Sequence, residues 1–288
     1  MNIPNAAMET ASPRTPRAFL AFIAGFLGLG LGYVYVGKLR AGVAIFLSSF
    51  CLVAFFAWTR LIVQSASMVW LLAALLILIT LMALIHPVVL AARNREVLKR
   101  RYNRWWFYLL WCFVTLVLGP IIFAGRSGLL GYETFRVASA SMSPTLELNE
   151  FFMSDSWIYH HHAAMVGEIV VLERSESPGV KYIKRVVAVA GDNIELRDGV
   201  LYRNGQPVAE PYVHAPNAYG GAPRNISPST LGPGLIYVLG DYRDNSLDSR
   251  QWGPFRTTSL RGRVQYIWMS SGPKSRIRWD RVGISLRP

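Results

Sequence analysis

Four long stretches without a charged side chain constrain this chain more than any other feature: Ala18–Val36, Ala41–Thr59, Met68–Ala92 and Trp105–Ala124. Each reaches or approaches the roughly 20 apolar residues that an α-helix needs to cross a bilayer. The expectation is an N-terminal tail over residues 1–17 and a membrane domain over 18–124, with spans at 18–36, 41–59, 68–92 and 105–124. The first stretch carries Gly25, Gly28, Gly30 and Gly32. These allow close helix packing, with a re-entrant segment as the alternative to a full span. Further spans follow and no small-residue cleavage site is evident, so a removed leader is not expected.

Charge orients these spans. Residues 1–131 hold 12 of the 30 Lys and Arg but 2 of the 17 Asp and Glu, so the membrane half carries most of the net +13. Beyond it there is no basic stripe interleaved with aromatics, and a nucleic-acid partner is not expected. Arg93, Arg95, Lys99, Arg100, Arg101 and Arg104 join the third and fourth stretches. The positive-inside rule makes that connection cytoplasmic, and Lys38 and Arg40 agree with it. The connection carrying only Arg60 is then external, and everything after about Gly125 is exported. Four full spans also put the N-terminus outside, against Arg14 and Arg17. Cys51 and Cys112 fall in apolar stretches, so the exported half has no disulfide. His86 and Pro87 read as a helix end near the interface.

From Tyr132 the pattern changes to short β-rich runs. Ile169–Leu172, Val180–Ala190, Ile194–Leu196, Val200–Tyr202, Leu235–Leu239 and Val264–Met269 read as strands. Asn204-Gly205 is a hairpin turn, because both residues tolerate the positive φ such turns require; Asp198-Gly199 reads as another. Residues 211–233 are rich in Pro, Gly, Ser and Asn and read as a long loop. The expected fold is an α-helical membrane anchor followed by one mainly β domain over 132–288.

The chemistry-bearing residues are few. His160, His161 and His162 are consecutive, which does not give metal-ligand spacing and suits a polar surface loop; His214 is the other exported histidine. There is no Gly-x-Ser-x-Gly elbow, no zinc-type spacing and no phosphate-cradling glycine loop. A serine hydroxyl needs a base. Lysine can serve if burial makes its neutral form accessible near pH 7. Lys184 lies among β-branched residues, sharing a strand face with Tyr182 and Val186, although a strand lysine is more often an exposed charge. Ser141 alone would be an ordinary loop serine. The run Gly240 to Arg250 is dense in short polar side chains and suggests a hydrogen-bonded turn stapled by Asp–Arg pairs.

Three ordered motifs carry a family resemblance: Ser139-Ala140-Ser141-Met142-Ser143-Pro144-Thr145-Leu146, then Tyr182-Ile183-Lys184-Arg185-Val186-Val187 with Gly191-Asp192, then Gly240-Asp241 through Arg250. After a membrane anchor, they make the chain resemble bacterial type I signal peptidases, membrane-bound Ser/Lys proteases, over roughly Val137 to Trp268. The resemblance implies a catalytic β domain of the signal-peptidase type with Ser141 as nucleophile and Lys184 as general base. It implies an oxyanion hole from the Ser139 hydroxyl and the Ser141 N–H, Ser246 orienting the lysine, and Asp248 with Arg250 as structural support. Val137, Ala138, Tyr182 and Ile183 would flank an extended substrate, cut after small residues at −1 and −3. It implies signal peptides of exported preproteins as substrates and no metal or cofactor. The setting would be a multi-pass protein of the inner membrane with its catalytic domain on the periplasmic side. The bilayer is then a partner, and the secretion translocon a candidate one. Ala140, Ala188, Ala190, Tyr242, Lys181 and Glu168 depart from the commonest family residues without removing a proposed catalytic group. A pilin-maturation or conjugation peptidase of the same fold, an inactive membrane scaffold, and a small transporter built on the spans remain as other readings.

Overall fold

The computed structural model describes residues 13–93, 97–98, 102, 104–213, 223–272 and 275–288. The chain divides into two compact units. One, the helical unit, comprises the residues up to Thr59 and Trp70–Gly125; the other, the β unit, comprises Arg60–Val69 and Arg126–Pro288.

In chain order the helical unit contains β1 (Pro13–Arg14), α1 (Ala18–Leu27), α2 (Leu31–Tyr35), α3 (Leu39–Trp58), α4 (Ala66–Arg93, whose first turn is counted in the β unit), β2 (Val97–Leu98) and α5 (Trp105–Ala124). Among the described residues, α3, α4 and α5 are long and apolar enough to cross a membrane. The first apolar stretch departs from the expected span. It breaks after ten residues, and a helix of that length reaches only about 15 Å of a roughly 30 Å core. Glycine is the cause. Gly28 is extended and Gly30 takes φ +90°, so the helix cannot continue through them. Gly30 also meets α3 at Gly42, where a Cβ would stand 2.7 Å from the Gly30 carbonyl.

A broken helix in an apolar medium leaves carbonyls without partners. Here α5 supplies them: Trp111 Nε1–H donates to Leu29 O at 3.1 Å, and the Cys112 thiol to Leu27 O at 3.8 Å. The two ends of the stretch meet. Arg17 N–H donates to the Tyr35 hydroxyl at 3.2 Å, Tyr102 donates to Gly37 O at 2.6 Å, and β1 pairs with β2. His86 and Pro87 lie inside α4 rather than at its end, and His86 Nδ1 is 2.8 Å from the Tyr33 hydroxyl.

The β unit adds α6 (Arg126–Leu130), β3 (Tyr132–Arg136), β4 (Glu150–Asp155), β5 (Ile169–Glu173), β6 (Lys181–Val189), β7 (Asn193–Arg197), β8 (Val200–Arg203), β9 (Gln206–Pro207), β10 (Ile226–Thr230), β11 (Leu235–Leu239), α7 (Ser249–Trp252), β12 (Phe255–Arg256) and β13 (Leu260–Ser270). Seven strands form an antiparallel sheet in the order β12-β11-β6-β5-β13-β4-β3, and four form a second in the order β10-β7-β8-β9. The predicted turns hold: Asn204 and Gly205 have φ 53° and 78°, Asp198 and Gly199 50° and 86°. β4 was not legible because Glu150 and Asp155 bound it, yet both are buried. Arg281 donates to Glu150 and Arg60 pairs with Asp155. β10 lies inside the expected long loop; it is an exposed edge strand containing a proline, so its composition imitates a loop. His214 lies outside the described residues.

Candidate active site

The turn after β3 holds Ser141 in place from beneath. Met142 and Leu146 are fully buried in a cluster with Phe152, Ile169, Val171, Val264 and Ile267, and Leu146 N–H donates to Met142 O at 2.9 Å. With its neighbour pinned in the core, Ser141 is held on a fixed backbone, 9 % exposed.

Lys184 comes from β6, and its strand register with β5 pairs it with Val170. It is 3 % exposed. Nζ makes one hydrogen bond to Ser141 Oγ at 3.0 Å and a second to the carbonyl of its own neighbour, Ile183, also at 3.0 Å. Burial pulls its pKa down from 10.5 to about 8; Asp248 and Asp241 push it back up and Arg250 lowers it further. A lysine near 8 is neutral in about one molecule in ten at pH 7, against about one in 3,000 for an unperturbed one. Burial thus leaves a fraction of Lys184 neutral near pH 7, within hydrogen-bond reach of Ser141 Oγ.

The remaining expected residues divide. Ser139 Oγ lies 3.2 Å from Ser141 Oγ on the exposed side of the turn. Ser246 is buried, but among the described residues its Oγ has no hydrogen-bond partner; the second bond of Lys184 goes to Ile183 O instead. Asp248 and Arg250 form the expected pair. Arg250 Nε donates to Asp248 Oδ1 at 2.9 Å, while Asp248 also accepts the Gly240 N–H at 3.0 Å and caps α7.

Tyr182 and Ile183 lie where β6 still pairs with β5, while β11 pairs with β6 only over Arg185–Val189, so that edge has no strand partner among the described residues. Ala138 is exposed. Val137 is buried; its N–H donates to Glu150 O at 2.8 Å and its carbonyl accepts the Asn149 N–H at 3.1 Å, which leaves that oxygen one further acceptor site.

Sequence reasoning missed the residue that ties the site together. Asp241 is fully buried and accepts Arg185 Nε at 2.9 Å, Arg185 Nη2 at 2.6 Å and Thr145 Oγ1 at 2.5 Å. It thus joins the lysine strand to the serine turn. The Asp–Arg staples expected within the 240–250 turn reach well outside it, since Arg243 also pairs with Glu210 at 2.5 Å. Removing one partner of a buried, hydrogen-bonded pair costs about 3–5 kcal/mol. Asp241→Ala is accordingly expected to lower the thermal midpoint of the β unit by several degrees, measurable by near-UV circular dichroism.

The sequence profile of the family described as "Signal peptidase, peptidase S26" matches residues 107–269, more than half of the chain. A probable signal peptidase I-1 of Synechocystis sp. is 32 % identical over 154 residues, covering 51 % of this chain and 74 % of that protein. A signal peptidase I of Pseudomonas aeruginosa is 29 % identical over 230 residues, covering 64 % and 77 %. A thylakoidal processing peptidase 1 of Arabidopsis thaliana is 33 % identical over 179 residues, covering 58 % and 50 %.

Proposed function

The chain belongs to the signal peptidase family, peptidase S26, and we propose that Ser141 and Lys184 are the dyad with which it cuts. It is a membrane-bound serine peptidase that removes signal peptides from preproteins. The observation that carries the dyad is the buried 3.0 Å contact between Lys184 Nζ and Ser141 Oγ.

Neutral Lys184 takes the Ser141 proton, and Oγ attacks the carbonyl carbon of the −1 residue. The oxyanion that forms is stabilised by the Ser139 hydroxyl and the Ser141 N–H, donors that act on charge present only in the transition state. Lys184, now an ammonium, gives its proton to the departing amine, which becomes the N-terminus of the mature protein. Water then attacks the acyl-enzyme with Lys184 again as base, releasing the signal peptide and restoring Ser141. The substrate lies extended along the open edge at Lys181–Ile183, where main-chain hydrogen bonds supply affinity and shallow pockets select small side chains at −1 and −3. The Ile183 carbonyl accepts the second hydrogen bond of Lys184, and the buried Ser246 hydroxyl orients the lysine during the reaction.

The membrane arrangement consistent with this reading has three spans, α3 to α5, with residues 18–36 entering and leaving on one side. Support comes from the joined ends of that stretch and from the charges. Arg14, Arg17, Lys38, Arg40 and the basic 93–104 connection then all face the cytoplasm, which removes the conflict that four spans created at the N-terminus. Ser141 and Lys184 face the periplasm.

Purified protein in detergent is expected to cut a secretory preprotein after a small residue, identified by N-terminal sequencing of the product. Because the working base is the neutral lysine, kcat/KM should climb with pH and level off above about 8. Cutting that declines as pH rises from 6 to 8 would overturn the assignment of Lys184 as base.

A further inference from the structure

The segment Arg60–Val69, which comprises most of the connection between α3 and α4 together with the first turn of α4, is folded into the β unit. Leu61–Val63 makes one 3-10 turn, and Ile62 and Val63 are each 4 % exposed. Side chains from the far end of the sequence hold its carbonyls. The buried Tyr266 hydroxyl donates to Ile62 O, and Arg287 Nη2 donates to Val63 O and Gln64 O, each at 2.7 Å. Arg60 takes a left-handed φ of 61°, pairs with Asp155, donates to Gly131 O at 3.2 Å and lies 5.5 Å from the Trp157 ring. Asp155 is itself fixed by the amides of Trp157 and Ile158 at 3.0 and 3.1 Å.

A connection that only links two lipid-embedded helices can leave its backbone to water. This one buries two aliphatic side chains and has three successive carbonyls bonded by residues about 200 positions away. We propose that residues 60–69 are a strap that gives the catalytic unit a second attachment to the bilayer, beside the one through residues 126–131. The chain crosses twice between these points, through α4 and α5, so both attachments emerge on one side. The inference rests on the reading of the chain as a peptidase of membrane-borne preproteins. Two tethers restrict the volume that the site explores and so raise its effective concentration at the membrane surface, where the cleavage site of an inserted preprotein emerges. A soluble peptide gains nothing from that restriction. The strap thus assigns a purpose to membrane helices that a single-anchor peptidase does not need.

The test compares the full-length wild type with the Tyr266→Phe/Arg287→Ala double variant, reconstituted in phospholipid vesicles. Cleavage of a membrane-inserted preprotein is expected to fall about tenfold, while cleavage of a soluble peptide spanning the same site stays within about twofold of wild type. Equal loss on both substrates, or loss on neither, overturns the proposal. Trypsin cutting after Arg60 gives a readout independent of activity, with the wild type protected and the double variant cut. Rapid cutting of the wild type there would overturn the strap even in an active enzyme. A wild type that cleaves neither substrate would overturn the peptidase reading alone, and the trypsin result would still judge the strap.

Discussion

Lys184→Ala is expected to reduce preprotein cleavage by at least about 10⁴-fold, the loss seen when a serine nucleophile is deprived of its base. Ser141→Ala should fall as far, and the double variant no further, because the two groups act as one unit. Lys184→Arg should not rescue, since a guanidinium stays protonated throughout the working range. A stability measurement separates loss of the base from loss of the fold. Lys184 has a lower pKa in the folded chain than when unfolded, so between about 8 and 10.5 the unfolded state binds the extra proton. The penalty is therefore complete below pH 8 and is relieved as pH rises toward 10.5, and its size is on the order of 3 kcal/mol. Lys184→Met should accordingly raise the melting temperature at pH 7, with a gain that shrinks by pH 10, while cleavage is lost. An inactive variant that melts lower at pH 7 than wild type would argue that Lys184 is a structural cation rather than a base.

Gly240→Ala carries the second largest effect, although Gly240 contributes no side chain. A Cβ there would stand 2.5 Å from Ser246 Cβ and 2.6 Å from the Ser141 carbonyl oxygen. The Ser141 carbonyl accepts the Tyr242 N–H at 3.1 Å, which brings the serine turn against the turn that follows β11. Neither neighbour is a flexible tip that can swing away: one is backbone, and the other is a buried serine next to the Asp248–Arg250 pair. The added methyl should therefore push Ser141 away from Lys184. A displacement of about 1 Å is enough to cost about 100-fold in rate. kcat is expected to fall by that factor with KM nearly unchanged, and far-UV circular dichroism should match wild type. Wild-type kcat would show that the turn yields without moving the nucleophile.

Local pattern carried much of the β unit. The strand ends near Ile169, Lys181, Asn193, Val200 and Leu235 fall within a residue or two of expectation, because alternating apolar residues and Asn-Gly or Asp-Gly turns encode short-range geometry directly. β4 and β10 were hidden for opposite reasons. The acidic ends of β4 become acceptable only once Arg281 and Arg60 neutralise them, and β10 stays exposed, so no apolar period marks it. The serine, the lysine and the Asp248–Arg250 pair were visible in ordered motifs. The Asp241 contacts to Arg185 and Thr145 bridge 56 and 96 residues, and nothing in the spacing of the residues names either partner.

The sequence by itself determined which solvent each segment seeks and which side chains carry chemistry. Uninterrupted hydropathy, the basic 93–104 connection and the short polar motifs are sums over neighbouring residues, and they need no fold to be read. The tertiary structure alone decided the paths and the partners. Hydropathy states that residues 18–36 prefer a membrane, but the break at Gly28 to Gly30 and the carbonyls bonded by Trp111 and Cys112 turn them back on themselves. Lys184 is a strand residue by pattern. Burial at 3 % exposure, which no local run specifies, is what lowers its pKa to about 8 and makes a neutral amine available to Ser141.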